Sequence, residues 1–350
     1  MMPAAVCLLA ACGTVQPGAG TPDAGEGHGG AGGAGVAAGS GGTAGGNGGT
    51  AGSDAGGGTD ARAGTDAGGG TDARGGTDAR GGTDARSGTD AGGSTDAGVG
   101  GDGALPRITL WLAGDSTVAT GGPACPIGWG GVFAPYFGDR VTVQNSAVAG
   151  RSVRTWLHSV QSVMDSTGEC VLDTDASGQP ILQDHWQAML GASGMKAGDY
   201  LFIQFGINDS DSTCPRHVGT AAFQASYGMM AQAAKDRGAQ PVFITPVSSI
   251  SCNGNTARGS RGAYVPATQQ AGTQDGVPVI DLSAASVALY NSMSFCPVPG
   301  GDVSATTTGP VGDFFCDDHT HFSAIGAPQI AGLVAQAIRD QKLPLAAYLK

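Results

Sequence analysis

Leu110-Trp111-Leu112-Ala113-Gly114-Asp115-Ser116-Thr117 is the most informative segment of this 350-residue chain. An apolar run ends abruptly at Gly-Asp-Ser, which predicts a buried strand over 107–113 followed by a tight turn. Such a turn presents the Ser116 hydroxyl at the end of the strand. The serine is therefore a candidate nucleophile, provided that a base and an oxyanion site can reach it.

Four further apolar segments predict strands over 141–145, 200–205, 241–245 and 277–281. Apolar residues at helical spacing predict one helix that ends near Gly238 and another near the end of the chain. The first helix is defined by Phe223, Tyr227, Met230, Ala231 and Ala234. The second helix is defined by Ile330, Leu333, Val334, Ala337 and Ile338. Apolar strands separated by helices predict an α/β fold, a three-layer α/β/α sandwich around a central five-stranded parallel sheet.

Composition divides the chain near residue 104. Most of the 64 glycines precede this point, in a segment with almost no aromatic or β-branched aliphatic residues, which cannot bury enough apolar area to fold. Thr-Asp-Ala recurs every six residues from Thr59 to Thr95, without the bulky apolar residue that a calcium-binding β-roll needs. We therefore predict a disordered Gly/Ala/Thr/Asp-rich linker over 13–104 and a folded domain over 105–350.

The first twelve residues are a predicted signal peptide. A short apolar run, too short to span a bilayer, ends in Leu9-Ala10-Ala11-Cys12. This ending resembles a bacterial lipoprotein signal, in which the cysteine is lipidated, and a plain secretory signal is the alternative. We therefore expect a secreted or cell-surface protein that meets a membrane only through a lipid anchor at Cys12.

The predicted domain contains six cysteines and no Cys-x-x-Cys pair, which argues against a metal knuckle. In an exported chain they indicate three disulfides, with buried free thiols as the alternative. Proximity in the sequence favours the pairings Cys125–Cys170, Cys214–Cys252 and Cys296–Cys316. Two cysteine-bearing stretches, 157–198 and 290–316, interrupt the alternation of strands and helices, and we predict that they are surface insertions beside a substrate cleft.

The net charge of the predicted domain limits the kinds of molecule that it is expected to bind. It carries 18 Asp and Glu residues against 13 Lys and Arg. This mildly acidic balance argues against nucleic acid as a partner but excludes no neutral sugar or ester. We expect the protein to be a monomer.

Polar signatures follow three of the predicted strands and precede the last helix. They are Gly114-Asp115-Ser116, Gly150-Arg151-Ser152, Gly206-Ile207-Asn208-Asp209 and Asp317-Asp318-His319-Thr320-His321. The carboxyl ends of parallel strands lie along one edge of a sheet, and ligands bind there. We therefore expect the first three signatures to converge.

The residue types in these signatures predict nucleophilic catalysis. The Ser116 hydroxyl needs a base near neutral pH, and His321 is the candidate. Asp318, three residues earlier, can hold the imidazole in its useful tautomer, with Asp317 as the alternative. This chemistry requires no metal or cofactor. His319 and His321 can instead be read as a metal pair with a neighbouring aspartate.

Three groups are candidates for stabilising the oxyanion: the backbone N–H groups of Ser116 and Gly150, and the side-chain amide of Asn208. Each residue also has a structural alternative. Ser116 can cap a helix, Gly150 can serve only to permit a positive φ, and Asn208 can belong to a polar turn.

Taken in order, Ser116, Gly150, Asn208 and His321 match the four blocks of the SGNH, or GDSL-like, hydrolase superfamily, which residues 107–340 resemble. Gly-Asp-Ser116-Thr-Val-Ala, Asn145-x-Ala-x-x-Gly150-Arg-Ser and Asp-x-Thr-His321-Phe are similar to its rhamnogalacturonan acetylesterase branch. The resemblance implies a flavodoxin-like fold and a serine esterase that needs no cofactor. It also implies deacetylation of plant cell-wall polysaccharide, of the rhamnogalacturonan, pectin or xylan type, through an acetyl-enzyme.

Two other functions remain open from the sequence. The same machinery can act on lipids or acyl thioesters, although the absence of a long apolar flap near the site argues against long acyl chains. The domain can also be a glycan-binding module without catalytic activity on a tether. Replacing Ser116 by alanine distinguishes an enzyme from such a module.

Overall fold

The computed structural model describes residues 104–123, 125–298 and 309–350. The predicted signal peptide over 1–12, with Cys12, lies outside the described residues. So does the predicted linker over 13–104, except for its last residue, and so does part of the predicted insertion over 290–316.

The described residues form nine strands and seven α-helices. The strands are β1 (Ile108–Gly114), β2 (Val141–Asn145), β3 (Val160–Met164), β4 (Cys170–Leu172), β5 (Tyr200–Gln204), β6 (Gln240–Ile244), β7 (Cys252–Asn253), β8 (Thr256–Ala257) and β9 (Val279–Ile280). The helices are α1 (Val153–Leu157), α2 (Asp184–Leu190), α3 (Thr220–Lys235), α4 (Tyr264–Asp275), α5 (Leu282–Ser292), α6 (Pro310–Phe314) and α7 (Gly326–Asp340).

Five strands form a parallel sheet in the order β2-β1-β5-β6-β9. Leu110 of β1 lies opposite Val143 of β2 and Tyr200 of β5, so β1 is flanked on both sides. The predicted central five-stranded parallel sheet is confirmed. The last strand, β9, is shorter than the predicted 277–281, because only Val279 and Ile280 pair with β6.

Alternate residues of the strands face two separate hydrophobic clusters. Leu110, Leu112 and Phe202 pack on the side of α5 and α7. Leu201 and Ile203 pack on the opposite side, with α1, α3 and α4. Burial on both faces explains why the strands are almost continuously apolar, and it gives the predicted three layers. None of the described helices is long and apolar enough to cross a membrane.

The two stretches predicted as surface insertions contribute to the core, so that prediction is wrong in part. The first contains the antiparallel hairpin of β3 and β4 together with α2, and it buries Trp186 and Met189. In the second, Phe295, Phe314 and Phe315 are buried in the cluster beneath α7. Their aromatic side chains are too large to leave in water when a neighbouring helix offers an apolar face.

The three disulfides join different cysteines from those predicted. The observed bonds are Cys125–Cys316, Cys170–Cys214 and Cys252–Cys296. The predicted pairing by proximity is wrong because the fold brings distant segments side by side. Ile127 forms a bridge with Phe322, for example, which places Cys125 beside Cys316 although 191 residues separate them. Three disulfides are typical of an extracellular protein.

Candidate active site

Ser116 lies in a tight turn directly after β1. The Asp115 carbonyl accepts hydrogen bonds from the backbone N–H groups of Val118 and Ala119, and the Asp115 carboxylate accepts one from the N–H of Thr117 at 2.9 Å. No helix follows the serine, so the alternative reading of Ser116 as a helix cap is wrong. The turn is instead held by Asp115, which leaves the Ser116 hydroxyl free to contact another group.

That group is His321, which lies on the loop between α6 and α7. Its Nε2 lies 2.7 Å from the Ser116 Oγ, and its Nδ1 lies 2.5 Å from the Asp318 Oδ2. The structure thus brings hydroxyl, imidazole and carboxylate together from segments 205 residues apart. This is the arrangement in which an imidazole can accept the hydroxyl proton while a carboxylate orients it.

The Asp318 carboxylate is held for this role by its own loop. Its Oδ1 accepts hydrogen bonds from the backbone N–H groups of Thr320 and His321, both at 3.0 Å. Partial burial raises the pKa of Asp318, but the hydrogen bonds from His321 and Thr320 outweigh it and place the pKa below the ordinary value. The carboxylate is therefore ionised at neutral pH.

The sequence left two alternatives for this loop, which are Asp317 as the orienting carboxylate and a metal site that includes His321. Among the described residues, the His321 ring makes a hydrogen bond to Asp318 and none to Asp317, so Asp318 is the better candidate for the orienting carboxylate. Both ring nitrogens of His321 are engaged by Ser116 and Asp318. No group of three or more His, Cys, Asp or Glu residues in the described part of the chain is placed to hold a metal ion.

Gly150 follows β2 in a turn with φ of 74°. A Cβ added at this position would meet nothing within 4 Å, so the glycine is needed for its backbone conformation and not for space. Among the described residues, neither its N–H nor that of Ser116 donates to another group. Two backbone donors are therefore unpaired at the carboxyl ends of neighbouring strands.

Asn208 follows β5, on the other side of β1. Its Nδ2 donates to the Arg151 carbonyl at 3.0 Å, which joins it to the turn that contains Gly150. Its Oδ1 accepts a longer hydrogen bond from Arg216 at 3.4 Å. One hydrogen of the amide group is used by Arg151, and the second is available to a negatively charged oxygen.

Asp209 is a site residue whose role the sequence patterns did not indicate. Its carboxylate accepts hydrogen bonds from the backbone N–H groups of Val153 at 2.9 Å and Gly206 at 2.8 Å. Full burial raises its pKa to about 7. The only sequence signal was its place beside Asn208, because nothing local shows that it reaches the helix after β2.

Gln204 is a second site residue, and the sequence patterns did not indicate its role. It ends the buried strand β5, and its Nε2 donates to the Thr117 Oγ1 at 2.7 Å while its Oε1 accepts from the Trp129 indole at 2.9 Å. This buried chain of hydrogen bonds holds Thr117, and therefore stabilises the turn that contains Ser116. A glutamine at the end of an otherwise apolar strand was the signal available in the sequence.

A cleft of about 260 Å³ opens beside the imidazole. It is lined by Cys125, Pro126, Cys316, Asp317, Asp318 and His321, so the Cys125–Cys316 disulfide forms part of its wall. Ser116, Gly150 and Asn208 do not line it, so the cleft adjoins the imidazole and its carboxylate and not the candidate oxyanion donors.

Several of these residues lie in a region that matches a known family. The GDSL-like lipase/acylhydrolase family matches residues 112–327. The rhamnogalacturonan acetylesterase RhgT of Bacillus subtilis (strain 168) is 32% identical over 248 residues, which cover 69% of this chain and 94% of that protein. A rhamnogalacturonan acetylesterase of Emericella nidulans is 24% identical over 253 residues, covering 66% of this chain and 84% of that protein. The resemblance predicted from the four blocks is therefore confirmed.

A solved structure has the same fold. The crystal structure of the protein YXIM from Bacillus subtilis is 23% identical to this chain, with a TM-score of 0.50. The likeness covers 69% of this chain and 58% of that one, so the chain spans little more than half of that protein. At this level of identity the likeness supports the arrangement of the sheet and helices alone.

Proposed function

Because the chain belongs to the GDSL-like lipase/acylhydrolase family, we propose that it is a serine esterase that removes acetyl groups from plant cell-wall polysaccharide. The observation that carries the proposal is the contact of the Ser116 Oγ with the His321 Nε2 at 2.7 Å, with Asp318 on the other ring nitrogen. The rhamnogalacturonan acetylesterases that resemble this chain support acetylated rhamnogalacturonan as the substrate, and we extend the proposal to other acetylated pectin and xylan.

In the first half of the reaction, the Ser116 Oγ attacks the acetyl carbonyl carbon while the His321 Nε2 takes the hydroxyl proton. The carbonyl oxygen becomes an oxyanion, which the N–H groups of Ser116 and Gly150 and the free Asn208 N–H stabilise. The intermediate then collapses, the C–O bond to the sugar breaks, and His321 returns the proton to the leaving sugar oxygen. The acetyl group remains on Ser116.

In the second half, a water molecule takes the place of the sugar. The His321 Nε2 accepts a proton from it as its oxygen attacks the acetyl-enzyme carbonyl, and the second oxyanion occupies the same donors. Collapse breaks the bond to the Ser116 Oγ, which regains its proton from His321, and acetate leaves. Asp318 stabilises the imidazolium in both halves and stays ionised throughout.

Acetate release from a panel of acetylated rhamnogalacturonan, pectin and xylan tests the proposal. We expect release by the parent protein and none above background by Ser116→Ala with unchanged circular dichroism. A marked preference for p-nitrophenyl palmitate over p-nitrophenyl acetate would instead favour a lipase. No release from any acetyl ester by the folded parent would favour a binding module.

The N-terminal sequence supports a further part of the proposal, which is attachment to a cell surface. We propose that the chain is exported and that Cys12 receives a lipid, because Leu-Ala-Ala-Cys12 has the form of a lipoprotein processing site. A Gly-rich linker of roughly 90 residues would have an r.m.s. reach of about 50–55 Å. Mass spectrometry of the mature N-terminus distinguishes a lipidated Cys12 from a plain secretory cleavage.

A further inference from the structure

Arg216 lies in the loop between β5 and α3, and the proposed mechanism does not use it. Its guanidinium contacts two side chains of the same loop. The Nη1 donates to the Asn208 Oδ1 at 3.4 Å, and the Nη2 donates to the Asp211 Oδ2 at 2.5 Å. The Arg216 side chain keeps 47% of its surface exposed, so it does not fill space in the core. Its contact with Asn208, a candidate oxyanion donor, points to a role at the site.

The Asn208 side-chain amide has two ends that are alike in shape and opposite in hydrogen bonding. The Oδ1 only accepts hydrogen bonds, and the Nδ2 only donates them. An oxyanion is stabilised by the nitrogen end alone. If the amide turned by a half-rotation, the Oδ1 would take the place of the Nδ2 and would repel the developing negative charge. The site therefore needs contacts that define which end of the amide faces the substrate.

Two contacts define the orientation of this amide. The Nδ2 donates to the Arg151 carbonyl at 3.0 Å, and the Oδ1 accepts from the Arg216 guanidinium. In the turned amide, the Nδ2 would face a guanidinium that has only donors, and the Oδ1 would face a carbonyl that only accepts. Both contacts would become repulsive. The Arg151 carbonyl and the Arg216 side chain together therefore favour the orientation that leaves an N–H for the oxyanion.

The Arg216 guanidinium is itself held in place by Asp211. The Asp211 Oδ1 accepts hydrogen bonds from the N–H and the hydroxyl of Thr213, at 3.2 and 3.0 Å, while its Oδ2 accepts from Arg216. The His217 Nδ1 lies 2.6 Å from the Asp211 carbonyl oxygen, which closes the loop on itself. The hydrogen bonds from Thr213 and then from Arg216 lower the pKa of Asp211. An ionised Asp211 therefore fixes the cation beside Asn208.

We propose that Arg216 is a positioning residue of the esterase, which orients the Asn208 amide so that its free N–H faces the oxyanion. This inference rests on the proposed function. In this role Arg216 acts through Asn208 and not by direct contact with the reacting atoms. Its positive charge at the Oδ1 also polarises the amide, which strengthens the N–H as a donor. The oxyanion forms only as the ester reacts, so the loss should fall on kcat and not on KM.

The experiment measures kcat and KM for p-nitrophenyl acetate in the parent, Arg216→Met, Asn208→Ala and the double variant. We expect Arg216→Met to lower kcat by about five- to ten-fold while KM stays within about two-fold of the parent. In the Asn208→Ala background the same change should alter kcat by less than about two-fold, because the group that Arg216 positions is gone. Arg216→Lys keeps a cationic donor and should lose less than Arg216→Met.

Arg107→Met is the matched control. Arg107 is also exposed and pairs with one aspartate, Asp139, at 3.3 Å, but it precedes β1 at the edge of the sheet opposite Ser116. Its kcat should equal that of the parent.

Equal losses of kcat from Arg216→Met with and without the Asn208 amide would overturn the proposal, because a structural role does not depend on that amide. If circular dichroism shows that Arg216→Met does not fold, Arg216→Lys is measured in both backgrounds under the same criterion. A folded parent that hydrolyses no acetyl ester would defeat the proposed function. An active parent in which the two losses are independent would defeat this inference alone.

Discussion

The Asp209 carboxylate accepts a hydrogen bond from the Val153 backbone N–H at 2.9 Å, and so joins the segment after β5 to the helix after β2, across the end of β1. The hydrogen bond from the Asn208 amide to the Arg151 carbonyl makes a parallel connection. Because β1 lies between the two strands, both connections pass the turn that carries Ser116. They set the spacing of the candidate oxyanion donors.

Replacing Asp209 by asparagine should change how stability depends on pH. Burial raises the folded-state pKa of Asp209 from 3.8 to about 7, so the folded protein holds a proton that the unfolded chain releases. Stability from this group is fully present below about pH 4 and is lost as the pH rises through about 7, by at most about 1.4 kcal/mol per pH unit. Urea unfolding at pH 4.5, 6 and 7.5 should show that the advantage of the parent over Asp209→Asn shrinks as the pH rises.

Asp211→Asn is the control for this measurement. Hydrogen bonds from Thr213 and Arg216 lower the pKa of Asp211, so it is ionised in both the folded and the unfolded chain across this range. Its free-energy difference from the parent should stay constant between pH 4.5 and 7.5. An equally constant difference for Asp209→Asn would contradict the assigned role of burial.

The two adjacent aspartates of the catalytic loop should differ in their effect on activity. Asp318→Asn leaves the His321 Nδ1 without its carboxylate, and we expect kcat to fall by about 10³–10⁴-fold. Asp317→Asn should stay within about ten-fold of the parent, because Asp317 lines the cleft without binding the imidazole. The kcat of each variant is measured with p-nitrophenyl acetate. Equal losses of kcat would mean that activity depends on the integrity of the loop and not on the Asp318 carboxylate in particular.

Asn208→Asp should impair the chemical step more than substrate binding. The variant keeps the shape and the Oδ1 of the side chain but loses the amide donor, and it places a negative charge where the oxyanion forms. Removal of one such donor typically lowers kcat by about 10²–10³-fold. Ser210→Ala is the control, because the Ser210 hydroxyl only donates to the Ile207 carbonyl in the same turn. A loss confined to KM in Asn208→Asp would argue against an oxyanion role.

Removal of the Cys125–Cys316 disulfide should reduce both stability and activity. It closes a loop of 191 residues and is anchored directly before the segment that carries Asp318 and His321. Loss of a native disulfide costs about 2–5 kcal/mol, measured by urea unfolding of Cys125→Ser/Cys316→Ser. We also expect kcat to fall at least ten-fold. In the comparison variant Cys170→Ser/Cys214→Ser, which lacks a disulfide that does not adjoin the segment of Asp318 and His321, stability should fall with a smaller loss of kcat.

From the sequence alone we could predict the strand–helix alternation, the place of each polar block after its strand, and the family. These features are local or ordered along the chain. A parallel strand that is buried on both faces must be apolar along its length. An abrupt change from apolar to polar residues therefore marks the end of such a strand, where a candidate nucleophile can lie. Ser116 at the end of β1 and Asn208 after β5 could therefore be located without coordinates.

The side-chain partners of these residues could not be predicted in this way, because they depend on the tertiary structure. The cysteine pairing, the choice of Asp318 over Asp317 and the reach of Asp209 to Val153 depend on distances of a few ångströms between segments far apart in the chain. Such contacts arise from how helices and loops pack over the sheet, and short-range sequence patterns contain no record of that packing.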